Sequence, residues 1–321
     1  MLNVYFTIDT EYSAGLYQGN SGRERLANFQ QSISCIAKNR ESGIFYQMDQ
    51  LNAADQKAVF YVDPMPALVW GNRAIEDIVL PIMEAGHDVQ LHLHPEWLQF
   101  ARSNPLGDKT GRNMADFDLE EQKLLVKTGI DLLMQAGAPK PVAFRAGNYG
   151  ANDDTLRALA FYGIAYDSSF CPGIPGSECE ITLQDEYIAP TEFLGITELP
   201  VGALEGKDGQ RRHAQLTALS FRELRQALIK AEKQGQKYFT IVSHSFELMS
   251  RDRRRINHIV RRRFEKFAAW LAVSPDMASA TFQNILPVAE DTIHAFPPIE
   301  PLLKVERQVE QLASNLLYGS E

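Results

Sequence analysis

Short runs rich in β-branched and aromatic residues alternate with helical stretches along nearly the whole chain, and this alternation limits the fold more than any other feature. The β-type runs are 3–8 (NVYFTI), 58–62 (AVFYV), 88–94 (DVQLHLH), 142–144, 164–166, 197–199, 239–242 and 281–285. Between them, 75–85 carries apolar residues at helical spacing and stops at Gly86. Asp118 with Glu121, and Ser220 with Glu223, have capping-box spacing, so helices should run from there to Gly137 and to about Gly235. Asn152 suits the cap of a helix that Gly163 ends. Residues 254–273 put Ile256, Ile259, Val260, Phe264, Phe267 and Leu271 on one side of a long helix. Strands alternating with helices predict parallel βα units, and seven or eight units predict a barrel rather than an open sheet. No GxGxxG or P-loop follows a strand, which argues against a nucleotide-binding sheet.

The expected organisation is a barrel over 1–290 and a C-terminal helical extension over 291–321 packed on it. Pro297-Pro298 marks the junction and 300–316 reads as an amphipathic helix. Segments 13–25 and 100–116 read as loops on the rim where βα barrels keep their chemistry. A net charge of −9 argues against a general nucleic-acid binder. No run approaches the roughly 20 apolar residues of a membrane helix, and the first residues lack the features of a signal peptide, so no membrane span is expected. The three cysteines, Cys35, Cys171 and Cys179, lack zinc-finger spacing and fit a reducing, cytoplasmic setting. The oligomeric state is not encoded in any of these patterns.

In parallel βα architectures, polar groups at the C-terminal ends of strands carry the chemistry. Here the first strand ends in Asp9-Thr10-Glu11 and the third in His92-Leu93-His94. The next ends in Arg145, the following one in Asp167, and YFTIVSH ends in His244. Residues two apart in a strand face the same way, so His92 and His94 are spaced to share one metal ion, and Asp9 and Glu11 have the same geometry. Two imidazoles and one carboxylate leave a coordination position open for water or substrate. A second carboxylate could accept the water's proton, and His244 suits a general acid. Arg145 could hold a carboxylate ionised.

Each piece also has a plainer reading. An isolated HxH is a weak signal, Asp9 and Glu11 could cap the following loop, and Asp167-Ser168-Ser169 could be a turn. His87, His213 and His258 read as structural or non-catalytic. The set of five strands ending in five reactive groups is what favours a site.

In order along the chain, FTIDTE (6–11), KAVFYVDP (57–64), EAGHDVQLHLHPEW (84–97), FRAGNYG (144–150), YDSSF (166–170) and VSHSF (242–246) resemble the motifs of the polysaccharide deacetylase superfamily. This group is also called carbohydrate esterase family 4 or the nodulation-protein-B homology domain. The resemblance spans roughly residues 1–290 and implies a distorted (β/α)7 barrel, a divalent metal, commonly zinc, and hydrolysis of N- or O-acetyl groups on sugars. It implies that Asp9 is the catalytic base, His244 the catalytic acid, Arg145 and Asp167 their supporting residues, and His92 and His94 metal ligands.

Two departures mark a divergent member. The family's second, metal-binding aspartate is replaced by Thr10, leaving Glu11 or Asp9 to complete the metal site. Its histidine pair is shortened from HxxxH to HxH. A sugar or polysaccharide precursor is the expected substrate. The alternatives are a small non-sugar amide, as in the allantoinase-like branch, and a barrel that binds glycan without cleaving it.

Trp97, Tyr149, Tyr12, Tyr17 and Phe170 lie near predicted strand ends, where aromatic faces could stack on a sugar ring. Trp97, Tyr149 and Asn148 are the candidate substrate-binding residues, with Ser245 a further hydrogen-bond donor. The basic run 250–264 (SRDRRRINHIVRRRF) reads as a solvated helix face, or as a phosphate site beside the His244 loop. Arg211-Arg212-His213 reads as an exposed basic loop.

Overall fold

Parallel strand pairing brings the predicted polar strand ends together by register alone. The computed structural model describes residues 1–174, 176–184, 186–290 and 292–319. Its strands are β1 (Leu2–Thr10), β2 (Val59–Val62), β3 (Asp88–Leu93), β4 (Ala143–Ala146), β5 (Tyr166–Asp167), β6 (Thr191–Phe193), β7 (Ile196–Glu198), β8 (Ala203–Glu205), β9 (Arg211–His213), β10 (Tyr238–His244) and β11 (Met277–Ser279). The main sheet runs β10-β1-β2-β3-β4-β5-β7-β6, with β11 also pairing β1. Every pairing in it is parallel except β6 with β7. Asp9 pairs with His244 across β1 and β10, and His92 pairs with Arg145 across β3 and β4.

The sheet curls until the chain leaving β7 meets β10. Val201 bridges Thr240 in parallel, and the Gly202 N–H donates to the Thr240 carbonyl. Gln215 likewise bridges Val242. The result is the barrel the alternation predicts, in the distorted seven-stranded form the motif resemblance implies. Helices cover the outside, and β1 is buried over almost all its length between them and the barrel interior. Phe6, for example, packs against Phe264 and Phe267 of the helix His258–Ala272. Such two-sided burial is why these strands read as near-continuous apolar runs.

The expected helices form at Arg73–Glu84, Leu119–Gln135, Asp153–Phe161, Phe221–Lys233, His258–Ala272 and Pro301–Tyr318. The capping boxes at Asp118, Asn152 and Ser220 are all present. Three expectations need correction. Residues 281–285 form a turn, because Asn284 Oδ1 accepts from the Thr281 N–H and competes with sheet pairing; the last strand is β11 instead. The long basic helix starts at His258, not 254, because Asn257 Oδ1 accepts from the N–H groups of Ile259 and Val260. Arg211–His213 is a strand of the hairpin β8-β9, half-buried rather than an exposed loop.

Besides the short helices Ala14–Gln18, in a segment that reads as loop, and Ala67–Trp70, the helices Arg25–Ser32 and Ile44–Ala53 went unpredicted. Their buried positions include Asn28, Ser32 and Gln47, and polar residues on the inner face hide the apolar period. Asn28 shows why they are polar: it bonds Ser13, Gly22 and Ser32 and so ties the loop after β1 to the helix.

The extension expected over 291–321 begins at a residue outside the described set and ends in two more, 320 and 321. Its helix Pro301–Tyr318 packs through its polar side. Buried Arg307 donates to Glu223 at 3.1 Å, and Glu310 accepts from Arg263 at 2.8 Å. Leu302, Val305, Val309, Leu312 and Leu316 face outward. Removing one partner of a buried ion pair leaves the other charge uncompensated. Arg307→Ala should therefore lower unfolding stability by about 3–5 kcal/mol in urea titrations, whereas Arg307→Met combined with Glu223→Gln should recover most of the loss.

Candidate metal centre and catalytic site

Glu11 and His94 each lie one residue beyond a strand, in chain that is still extended at His94. Their side chains therefore keep the facing of the strand ends. The carboxylate of Glu11 reaches both histidines: Oε2 is 3.4 Å from His92 Nε2 and closer still to His94 Nε2. One ligand atom from each of the three residues lies within 4.8 Å of the others. The two rings stand nearly perpendicular, at 81° with centroids 4.8 Å apart.

His92 Nδ1 lies 2.7 Å from the Arg145 carbonyl oxygen, which can only accept. In the neutral imidazole this fixes the proton on Nδ1 and turns the Nε2 lone pair towards Glu11, as metal-binding histidines require. Burial alone would raise the Glu11 carboxyl, but the histidines hold it well below the usual range. Burial alone would lower His94, but Glu11 lifts it to about 10. Buried His94 Nδ1 has no hydrogen-bond partner among the described residues. A carboxylate and two imidazoles converging in this way fit a divalent ion such as zinc.

Asp9 is not part of this triad. Its Oδ1 accepts from Arg145 Nη1 at 2.7 Å, while Oδ2 lies 4.0 Å from His244 Nε2. Arg145 is fully buried. It also donates to Thr7 Oγ1, the Ser168 carbonyl and Ser168 Oγ, and its guanidinium lies 4.4 Å from the Tyr61 ring centroid. These contacts tie β1, β2, β4 and the turn after β5 at one point. His244 is only partly buried. Its backbone N–H donates to Glu247, and its Nδ1 lies 3.4 Å from Gln215 Nε2. Gln215 in turn meets His213 Nε2 at 2.6 Å, so His213 sits one residue removed from the candidate acid.

Asp167 has a different setting from the one its motif implies. Its oxygens accept from the N–H and hydroxyl of Ser169, and its side chain bonds the buried carboxyl of Glu198. Burial drives both carboxyls above their ordinary range, Glu198 far above, so the pair holds a proton. Asp167 thus shapes the turn that presents Ser168 to Arg145.

Of the candidate sugar-binding residues, Trp97 is corrected. It is completely buried against Tyr17, Trp70 and Phe100, because the turn Pro95–Phe100 folds it inward, so it offers no face to a ligand. Tyr12, Phe170 and Ser245 are buried as well, and Ser245 Oγ donates to the Ser32 carbonyl. Tyr149 and Asn148 are only partly buried, and both have left-handed φ of 57°. Such strain in a bulky residue is uncommon and gathers at functional sites. The Asn148 amide is tied to Asn113.

Three residues beyond the sequence candidates belong to the site. Asp63 lies one residue beyond β2 as Glu11 lies one beyond β1, so the strand-end rule that picks out Glu11 also reaches it. It is buried, Oδ2 has no partner among the described residues, and burial pushes it up to about 7 against the pull of His94 and His92. Glu247 accepts from Gln215, Thr217 and the His244 N–H. At Gly147, a Cβ would lie 2.5–2.7 Å from three ring atoms of His94; only glycine lets this ring sit where it does.

No protein-family model matches the sequence, and no curated protein matches it. Solved structures do. A protein from Mycobacterium smegmatis assigned as a polysaccharide deacetylase superposes with a TM-score of 0.57 at 18% identity, over 91% of this chain and 94% of that one. The 4-alpha-glucanotransferase of Thermococcus litoralis superposes with a TM-score of 0.52 at 13% identity, over 99% of this chain and 47% of that one. The fold is therefore the deacetylase-like α/β barrel that the motif order implies. One fold shared by such different proteins does not choose the reaction; the side chains must.

Two expectations follow. Gly147→Ala should weaken zinc binding at least tenfold in competition with a chelator, because the new methyl displaces the His94 ring; unchanged affinity would remove His94 from the metal site. Glu198→Gln should keep the bond to Asp167 without a shared proton. A raised carboxyl stabilises the fold fully only below about pH 4 and loses that contribution as pH climbs. Chemical denaturation across pH should show this decline in the wild type and a flatter profile in the variant.

Proposed function

We propose that this chain is a divergent member of the polysaccharide deacetylase superfamily, a metal-dependent hydrolase that removes an acetyl group from a sugar or a polysaccharide precursor. One observation carries the reading. A metal-fitting triad, Glu11, His92 and His94, and a separate acid–base pair, Asp9 and His244, meet at the same end of the barrel through Arg145.

A divalent ion such as zinc, when bound, supplies Lewis acidity that polarises an acyl carbonyl and lowers the pKa of water. Glu11, His92 and His94 would hold it, which leaves Asp9 free for proton transfer. Arg145 engages one oxygen of Asp9, so the other oxygen is available to accept a proton from attacking water. His244 Nε2, 4.0 Å from that oxygen, donates to the departing amine or alcohol. Gln215 and Glu247 orient its ring and backbone. The shortened HxH spacing is compatible with this arrangement because both imidazoles reach Glu11 from one edge of β3.

The test is acetate release by zinc-loaded protein from N-acetylated and O-acetylated oligosaccharides, with allantoin as the ureide control. Acetate should form from the sugars. Asp9→Asn and His244→Ala should each lower kcat by about 10²–10⁴ and keep zinc, while His92→Ala should lose zinc. Zinc-loaded protein that releases no acetate, or variants as active as wild type, would contradict the proposal.

A further inference from the structure

Helix Pro301–Tyr318 turns polar residues inward, and part of that polar side walls a cavity. The cavity, about 630 Å³, lies between this helix and the loop after β10. His244 stands on its wall, so it opens directly onto the proposed acid. Arg251, Arg253 and Arg263 line it together with Asn315. Glu247 is the one carboxylate among its described lining residues, and that charge is already bonded by Gln215, Thr217 and the His244 N–H. Arg263 is bonded to Glu310.

Arg253 has a different situation. It forms no ion pair among the described residues; the neighbouring Asp252 accepts instead from Ser250 Oγ and the Arg254 N–H. Its guanidinium lies over the Phe246 ring, 4.0 Å from the centroid, and one nitrogen donates to Ser32 Oγ. The Phe246 ring packs 5.3 Å from that of His244. A guanidinium has five N–H donors, and stacking on an aromatic face leaves its edge open for a planar or tetrahedral anion. The backbone at Arg253 takes a left-handed φ of 57°, a conformation that costs stability in any residue except glycine. An unpaired, half-buried cation is thus fixed in place beside His244 by three separate contacts or constraints.

We propose that Arg253 recognises an anionic group on the substrate, which makes that substrate an acetylated saccharide carrying a carboxylate or a phosphate. The placement of the acetyl group rests on the hydrolase reading; the anion subsite itself does not. A cation here also adds to the positive potential that draws an acidic ligand towards a protein whose net charge is −9.

Calorimetric titration of the zinc-loaded full chain with N-acetylglucosamine, N-acetylglucosamine 1-phosphate and N-acetylglucosaminuronic acid tests this, with acetate measured in the same samples. At least one anionic probe should bind tenfold or more tightly than the neutral one, and the tighter of the two identifies the anion. Arg253→Gln should bring the ratio close to one, and Arg253→Lys, which keeps the charge and guards against a folding defect, should retain part of it. Equal binding of all three probes by wild type, or an unchanged ratio in Arg253→Gln, overturns the proposal. An Arg253-dependent preference without acetate release supports the anion subsite and sinks the hydrolase reading. Acetate release with no preference does the reverse.

Discussion

A single buried guanidinium organises the working end of this barrel. The Arg145 side chain holds Asp9 and Thr7 of β1 and Ser168 after β5, and its own carbonyl oxygen fixes the tautomer of His92 on β3. Burying such a charge is costly unless every donor finds an acceptor. Here the acceptors come from sequence segments more than a hundred residues apart. Satisfying Arg145 and assembling the site are therefore the same structural event. The Tyr61 ring beneath the guanidinium closes the arrangement on the β2 side.

The division of labour between carboxylates follows from this constraint. Asp9 and Glu11 leave the same strand end, two residues apart, yet have different partners. Asp9 is drawn to Arg145 and stands towards His244, whereas Glu11 stands between two imidazoles. Sequence alone left open which of them completes a metal site. The register of β1 against β10 and the reach of Arg145 give them separate partners. Asp167, by contrast, is drawn into a protonated pair with Glu198 and contributes through the turn it shapes.

Much of this was legible in the sequence because it depends on local period and strand direction. The alternation of elements, two capping boxes, the Asn152 cap and the polar strand ends at Asp9, Glu11, His92, His94, Arg145 and His244 all reappear in place. What escaped was what depends on packing. Trp97 looked like a sugar platform, but a tight turn after His94 buries it in an aromatic cluster. Gly147 carried no local signal of its role, since that role is defined by the volume of the His94 ring. The helices between β1 and β2 bury Asn28 and Gln47, which breaks the apolar period that sequence reading relies on.

The central claim is that Glu11, His92 and His94 form a metal centre from which Asp9 is excluded. Anomalous diffraction at the zinc edge from zinc-soaked crystals tests it most directly. The account predicts one strong peak at about 2.0–2.2 Å from Nε2 of both histidines and from a Glu11 carboxylate oxygen, with Asp9 still bonded to Arg145. A peak ligated by Asp9 in place of Glu11, or no ordered zinc at these histidines, would contradict it.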